Sequence, residues 1–154
     1  MDRDKLVAIA GQLFEQHGLT SRGWRLEFRN YADRLGCCCS KHSTIALNAY
    51  YVEHNEEAMV IDTLLHEIAH ALVGSCLAHG PEWKAMAMRL GCFPRACSQT
   101  DVVMRPGKWQ ASCPTCARLF HKHRRPKYVT GYYCPSCGDK NGKLAFTVQI
   151  SDVG

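Results

Sequence analysis

Residues 56–83 have the sequence EEAMVIDTLLHEIAHALVGSCLAHGPEW, which sets three histidines and several acids in a strongly apolar stretch. From Glu56 to Leu72 apolar side chains occur nearly all round a helical wheel, so this segment predicts a helix buried on most of its surface and ending near Gly74. Gly80-Pro81-Glu82 is typical of a helix start, with proline in the first turn followed by an acid. It predicts a second helix over roughly 81–90.

His66 and His70 lie four residues apart and therefore project side by side from one helix face, where they can share a metal ion. Glu67 falls on the edge of that face, and in an H-E-x-x-H arrangement the glutamate takes a proton from metal-bound water. Burying two imidazoles and a carboxylate without a metal or partner would cost several kcal/mol. The pattern therefore predicts a zinc site with an open coordination position.

Spacing alone does not decide which residue is the third metal ligand. The metzincin pattern fails, because Val73 and Cys76 stand where it requires glycine and histidine. His79 and Glu82 remain as candidates. His79 is favoured, since three imidazoles are a known catalytic ligand set and Glu82 has a capping explanation in the first helical turn.

The remainder of the first hundred residues predicts supporting elements. Apolar spacing over residues 3–17, followed by Gly18, predicts an amphipathic helix. Segments 24–31 and 43–48 favour strands of a small antiparallel sheet, with a turn containing Gly36 between them. Residues 92–112 are interpreted as a linker with one strand at 102–104.

Four segments in order, RLGCC (34–38), IALN (45–48), LLHEIAH (64–70) and HGPEW (79–83), resemble the SprT-like metalloprotease domain, whose members include the Spartan-type proteases. The resemblance covers most of residues 1–95 and implies a gluzincin-like α+β fold, with His66, His70 and His79 as zinc ligands and Glu67 as general base. The short stretch between the second and third histidines is closer to compact bacterial or phage forms. Family members commonly carry a zinc ribbon next.

Two Cys-x-x-Cys pairs separated by seventeen residues, Cys113/Cys116 and Cys134/Cys137, have the spacing of a Cys₄ structural zinc site. Four thiolates complete the tetrahedron, so this zinc would hold together a hairpin too small to fold by hydrophobic burial alone. A redox role is disfavoured because the thioredoxin-type motif occurs singly within a βαβ context.

The segment between the cysteine pairs is basic, contains no acid and is interleaved with aromatic residues. Cations neutralise phosphates and aromatic faces stack on bases, so the segment predicts binding to DNA, with single strands favoured and no sequence preference. The alternative is a merely solvated face. The candidate contacts are Arg118, Lys122, Arg124, Arg125, Lys127 and Tyr128.

The basic and acidic side chains are distributed unevenly along the chain. Residues 1–104 hold 10 basic and 12 acidic side chains, whereas residues 105–154 hold 9 and 2. We therefore predict a protease domain over 1–104 and a zinc-ribbon domain over 105–154 with an anionic partner. Ten cysteines without a signal-peptide pattern or a membrane-length apolar run indicate a reducing, cytoplasmic location, with no membrane association.

The leading hypothesis is a zinc metalloprotease acting on protein substrates near DNA, with one catalytic and one structural Zn²⁺ and no small-molecule cofactor. The alternatives are a non-catalytic nucleic-acid-binding adaptor and a hydrolase of a non-peptide bond. Arg34, Tyr50 and Tyr51 are the candidates for an oxyanion-stabilising group. The six cysteines outside the pairs are expected to be small buried or half-buried residues. Cys76 could instead occupy the open zinc position, and the others are Cys37, Cys38, Cys39, Cys92 and Cys97.

Overall fold

The computed structural model describes residues 1–74, 79–94, 102–128 and 130–149. The chain divides into two compact units, Met1–Met104 and Arg105–Gly154. The fold is α+β, with a small sheet in each unit. No helix among the described residues is long and apolar enough to cross a membrane.

The first unit begins with helix α1 (Arg3–Gln16), which the Asp2 side chain caps by accepting from the Lys5 amide. A sheet and three further helices follow. Their bounds are β1 (Arg25–Arg29), β2 (Gly36–Cys39), β3 (Thr44–Asn48), α2 (Ala49–His54), α3 (Glu57–Val73) and α4 (Pro81–Leu90). The predicted helices over 3–17, 56–72 and 81–90 are thereby confirmed, with Gly74 and Gly91 as the C-caps of α3 and α4.

The sheet of the first unit has the order β1-β3-β2 and is mixed. β2 pairs antiparallel with β3, but β1 pairs parallel with β3, so the expected antiparallel sheet is only partly confirmed. The expected turn around Gly36 is wrong, because Gly36 begins the edge strand β2. β3 is buried along its whole length, which fits the central strand of a sheet covered by helices.

The core of this unit lies between α1, the sheet and α3. It contains Leu6, Phe14, Ile45, Leu47, Tyr51, Leu64 and Ile68 among its buried residues. A second buried cluster of Ala69, Trp83, Ala87 and Cys92 joins α3 to α4. Trp24 and Trp83 are both buried, as expected of core residues.

The strand expected at 102–104 is absent from the structure described for those residues. Instead, Val103 exchanges two hydrogen bonds with one side chain: its amide donates to Asn55 Oδ1 and its carbonyl accepts from Asn55 Nδ2, both at 2.8 Å. The side-chain amide of Asn55 therefore takes the place of a neighbouring strand.

The second unit contains β4 (Trp109–Ser112), β5 (Leu119–Lys122), the short helix α5 (Gly138–Asn141) and β6 (Thr147–Val148). The strands form an antiparallel sheet of order β5-β4-β6. Its buried residues are Ala111, Cys113, Cys134 and Leu144, with Phe120, Tyr132 and Phe146 packed against them. A core this small needs additional cross-linking to be stable.

Candidate metal centres

The tips of His66, His70 and His79 converge. His79 Nε2 lies 3.0 Å from His66 Nε2 and 3.2 Å from His70 Nε2. A tetrahedral zinc ion with Zn–N bonds of about 2.0–2.1 Å would hold its nitrogens about 3.3–3.4 Å apart. The three imidazoles therefore fit a metal ion such as zinc.

Two helices and a buried tryptophan bring the rings together. His66 and His70 project from α3, and His79 lies two residues before Pro81 at the start of α4. The indole of Trp83 is fully buried with its ring centroid 4.5–5.2 Å from all three imidazole centroids. Packing of α4 on α3 thus sets the distance of His79 from the other two histidines.

Glu82, the alternative third ligand, is not a member of this cluster. Its position in the first turn of α4, exposed to solvent, agrees with the capping explanation. Among the described residues, the groups that could hold a metal ion are the three histidines and the four cysteines of the second unit.

Burial shifts the pKa values of three residues at the site. It lowers the pKa of His66 and of His70 to about 4, with the neighbouring imidazoles adding to the effect. Both rings are therefore neutral at pH 7, the state in which imidazole binds a metal. Burial raises the pKa of Glu67 to about 7, opposed by a hydrogen bond from the Cys38 amide and by the charge of Arg34. A carboxyl with a pKa near 7 can both accept and return a proton.

A cavity of about 470 Å³ opens onto the histidines and Glu67. The end of the loop ahead of β2 and the first residues of β2 form its other wall, Asp33 to Cys38, together with Thr63 of α3. A cavity of this size can hold a segment of an extended ligand.

The four predicted cysteines also converge, with all four sulfurs within 4.8 Å of one another. The Cys116 and Cys134 sulfurs are 3.7 Å apart, and Zn–S bonds of about 2.3 Å would hold two thiolates about 3.8 Å apart. Hydrogen bonds from backbone amides, chiefly that of Cys116, lower the pKa of Cys113 to about 7 and favour its thiolate. The set fits a closed structural metal site.

The candidate nucleic-acid residues are not equivalent. Arg124, Arg125, Lys127 and Tyr128 are exposed in the segment that follows β5. Lys122 is half-buried, with Nζ 4.1 Å from the centroid of Tyr132 and 5.5 Å from that of Phe146. Its ammonium group therefore packs on aromatic residues of the second unit.

Arg118 and the aromatic residues of the basic segment also differ in their exposure to solvent. Arg118 is exposed and makes a long 3.4 Å hydrogen bond to Ser136. Of the aromatic residues in the basic segment, Phe120 and Tyr132 belong to the ribbon core, whereas Tyr128 and Tyr133 are exposed.

The other cysteines are partly located. Cys37, Cys38 and Cys39 are half-buried in β2 and Cys92 is buried, whereas Cys76 and Cys97 lie outside the described residues. Burial raises the pKa of Cys38 to about 12, so this thiol is protonated at neutral pH.

Sequence reasoning missed one residue that shapes the site. Asn48 is buried, and its Nδ2 donates to the carbonyl oxygens of Tyr31 and Arg34 at 2.9 and 3.0 Å. Its Oδ1 caps α2 by accepting from the Tyr50 and Tyr51 amides. Its position before a helix could have indicated the cap, but nothing in the sequence indicates the bonds to the loop.

Comparison with known proteins identifies the family and several relatives of the chain. A family model described as the SprT-like family matches residues 4–102. The chain is 28% identical over 125 residues to Protein SprT of Escherichia coli O157:H7, covering 75% of this chain and 76% of that protein. It is 26% identical over 155 residues to Protein SprT-like of Staphylococcus aureus strain Newman, covering 97% and 99% respectively. The resemblance inferred from the sequence is confirmed.

Proposed function

We propose, starting from the fact that this chain belongs to the SprT-like family, that it is a zinc-dependent metallopeptidase. The observation that carries the proposal is the placement of Glu67 in the same cavity as the three convergent histidines. A structural three-histidine site has no need of a neighbouring carboxylate, whereas hydrolysis needs a base beside the attacking water.

The chain's own residues divide the reaction between them. His66, His70 and His79 would hold the zinc ion, which when bound supplies Lewis acidity and lowers the pKa of a water molecule to about 7. Glu67 takes a proton from the attacking water as the water oxygen bonds to the peptide carbonyl carbon. It then gives that proton to the leaving amine nitrogen as the C–N bond breaks.

We further propose that the second unit binds nucleic acid without sequence preference, which directs cleavage to proteins associated with DNA. The support is the run of exposed cations Arg124, Arg125 and Lys127 beside the exposed ring of Tyr128. Such a surface neutralises phosphates and offers a face on which an unpaired base can stack. Single-stranded DNA is the expected ligand, because its bases are available for stacking.

One comparison tests the peptidase. The zinc-loaded protein and its Glu67→Gln variant are incubated with a DNA-bound basic protein, with and without single-stranded DNA. Wild type should cleave and Glu67→Gln should lose the activity while retaining its zinc. Glu82→Gln is the matched control, since this exposed carboxylate lies outside the histidine cluster. Equal cleavage by wild type and Glu67→Gln would refute the proposed role of Glu67, and no cleavage by either would leave the adaptor as the better function.

A further inference from the structure

The cavity at the histidines contains one arginine among the described residues that line it, Arg34. Its side chain is 55% exposed. The nearest carboxylate oxygen, Oδ1 of Asp33, lies 3.9 Å from Arg34 Nε, and the Tyr31 ring centroid lies 5.6 Å from Cζ. Neither is a hydrogen bond, so within the described chain the guanidinium keeps its donors available to a ligand.

The backbone that carries Arg34 is fixed although the side chain is exposed. Buried Asn48 donates to the Arg34 carbonyl and to that of Tyr31, and the Asn48 amide donates to the Leu35 carbonyl at 2.7 Å. Three hydrogen bonds from one residue therefore hold residues 31–35 at the edge of the cavity. The fixed backbone keeps the origin of the Arg34 side chain at the edge of the cavity.

The two tyrosines that the sequence offered for the same task are engaged elsewhere. Tyr51 is fully buried, and its hydroxyl bonds to the Met59 carbonyl at 2.8 Å and the Thr63 hydroxyl at 3.0 Å. The Tyr50 ring stacks on His54 with centroids 3.8 Å apart, and Tyr50 does not line the cavity. Of the three candidates, Arg34 is therefore the one that lines the cavity with the histidines.

We propose that the Arg34 guanidinium donates hydrogen bonds to the carbonyl oxygen of the scissile peptide and stabilises the negative charge that develops there during water attack. The inference rests on the proposed peptidase function. It assigns a catalytic residue outside the H-E-x-x-H helix, held in place by the loop that Asn48 anchors. Donors that bond to the developing negative charge act mainly on the chemical step.

Peptide hydrolysis by wild type, Arg34→Gln, Arg34→Lys and Arg89→Gln tests the assignment. Arg89 is an exposed arginine of α4 that does not line the cavity and serves as the matched control. Arg34→Gln should lower kcat by about 10- to 100-fold with a much smaller change in KM. Arg34→Lys should recover part of the loss, and Arg89→Gln should match wild type. An unchanged kcat in Arg34→Gln overturns the proposal.

A binding measurement tests the role of Arg34 without requiring catalytic turnover. A phosphinate peptide carries anionic oxygens where charge would develop on the carbonyl oxygen, whereas the amide peptide of the same sequence does not. Arg34→Gln, loaded with zinc, should bind the phosphinate about tenfold more weakly than wild type and bind the amide peptide equally well. Equal phosphinate affinity overturns the role of Arg34. Inactivity of wild type would instead refute the peptidase, and the phosphinate comparison would still decide Arg34.

Discussion

The absence of a side chain at Gly36 leaves room for the side chain of Glu67. A Cβ atom on Gly36 would lie 3.1 Å from both Cγ and Oε1 of Glu67, and 2.8 Å from Cδ2 of Leu47. The Cys38 amide, two residues along β2, donates a hydrogen bond to the same carboxyl group. The edge strand therefore limits the space around Glu67 at Gly36 and donates a hydrogen bond to its carboxyl group from Cys38.

Substituting Gly36 by alanine should impair catalysis through Glu67. The added methyl would require Leu47 Cδ2 to move and Glu67 to shift by a few tenths of an ångström. A displacement of about 1 Å at a catalytic group can cost about 100-fold in rate, so this smaller shift should have a smaller effect. We expect kcat/KM for peptide cleavage to fall by about two- to fivefold, with zinc content retained. Gly11→Ala, a change at a position with no atom within 4 Å, should keep full activity. Wild-type kinetics in Gly36→Ala would refute this role.

Asn48→Asp should destabilise the first unit. Aspartate keeps the oxygen that caps α2 but loses the Nδ2 donor, which leaves the Tyr31 and Arg34 carbonyls unpaired beside a carboxylate. The expected loss in free energy of unfolding is about 1–3 kcal/mol, measured by urea denaturation. Asn30→Asp makes the same chemical change at an exposed position and should stay within about 0.5 kcal/mol of wild type. Equal stability of both variants would contradict the anchoring role.

Cys113→Ser should remove one of two metal ions per chain. Because the four cysteines form a closed set in a unit with a small core, loss of one thiolate should release that ion and unfold the ribbon. The zinc content measured by metal analysis should fall from two ions per chain to one, while peptide cleavage persists. Cys39→Ser, at a cysteine outside the set, should retain both ions. Loss of both ions from Cys113→Ser would show that the two sites depend on each other.

Combined Arg124→Gln and Arg125→Gln substitution should weaken binding of single-stranded DNA. If each guanidinium neutralises one phosphate, the slope of log K against log salt should decrease by about 1.4, measured by fluorescence anisotropy titrations. Combined Lys140→Gln and Lys143→Gln substitution, at two exposed lysines, controls for the loss of two charges alone. A slope unchanged from wild type would argue against phosphate contact by these two arginines.

The histidine helix was predictable because its information is local. The spacing of His66 and His70, the C-cap at Gly74 and the proline in the first turn of α4 all lie within a few residues of what they determine. The choice of His79 over Glu82 depended on how α4 packs on α3, which spacing alone left open.

The sheet was harder to predict because strand pairing is not encoded locally. The alternation in β1 indicates a strand but not its direction relative to β3, and the run Gly36-Cys37-Cys38-Cys39 has no strong strand signal of its own. β2 forms because the buried strand β3 supplies hydrogen-bonding partners along its edge. Val103 shows the converse, since a strand-favouring residue there pairs with the side chain of Asn55.

The two hydrogen-bonding groups of the Asn48 side chain meet two requirements that proteins usually meet at separate positions. One residue starts a helix by accepting hydrogen bonds and shapes the cavity edge by donating them. Serine or aspartate would preserve the helix start, and glutamine would carry both groups on a longer arm. Fewer residues should therefore be tolerated at position 48 than helix capping alone would allow. A stabilising redesign of this unit should leave that asparagine unchanged.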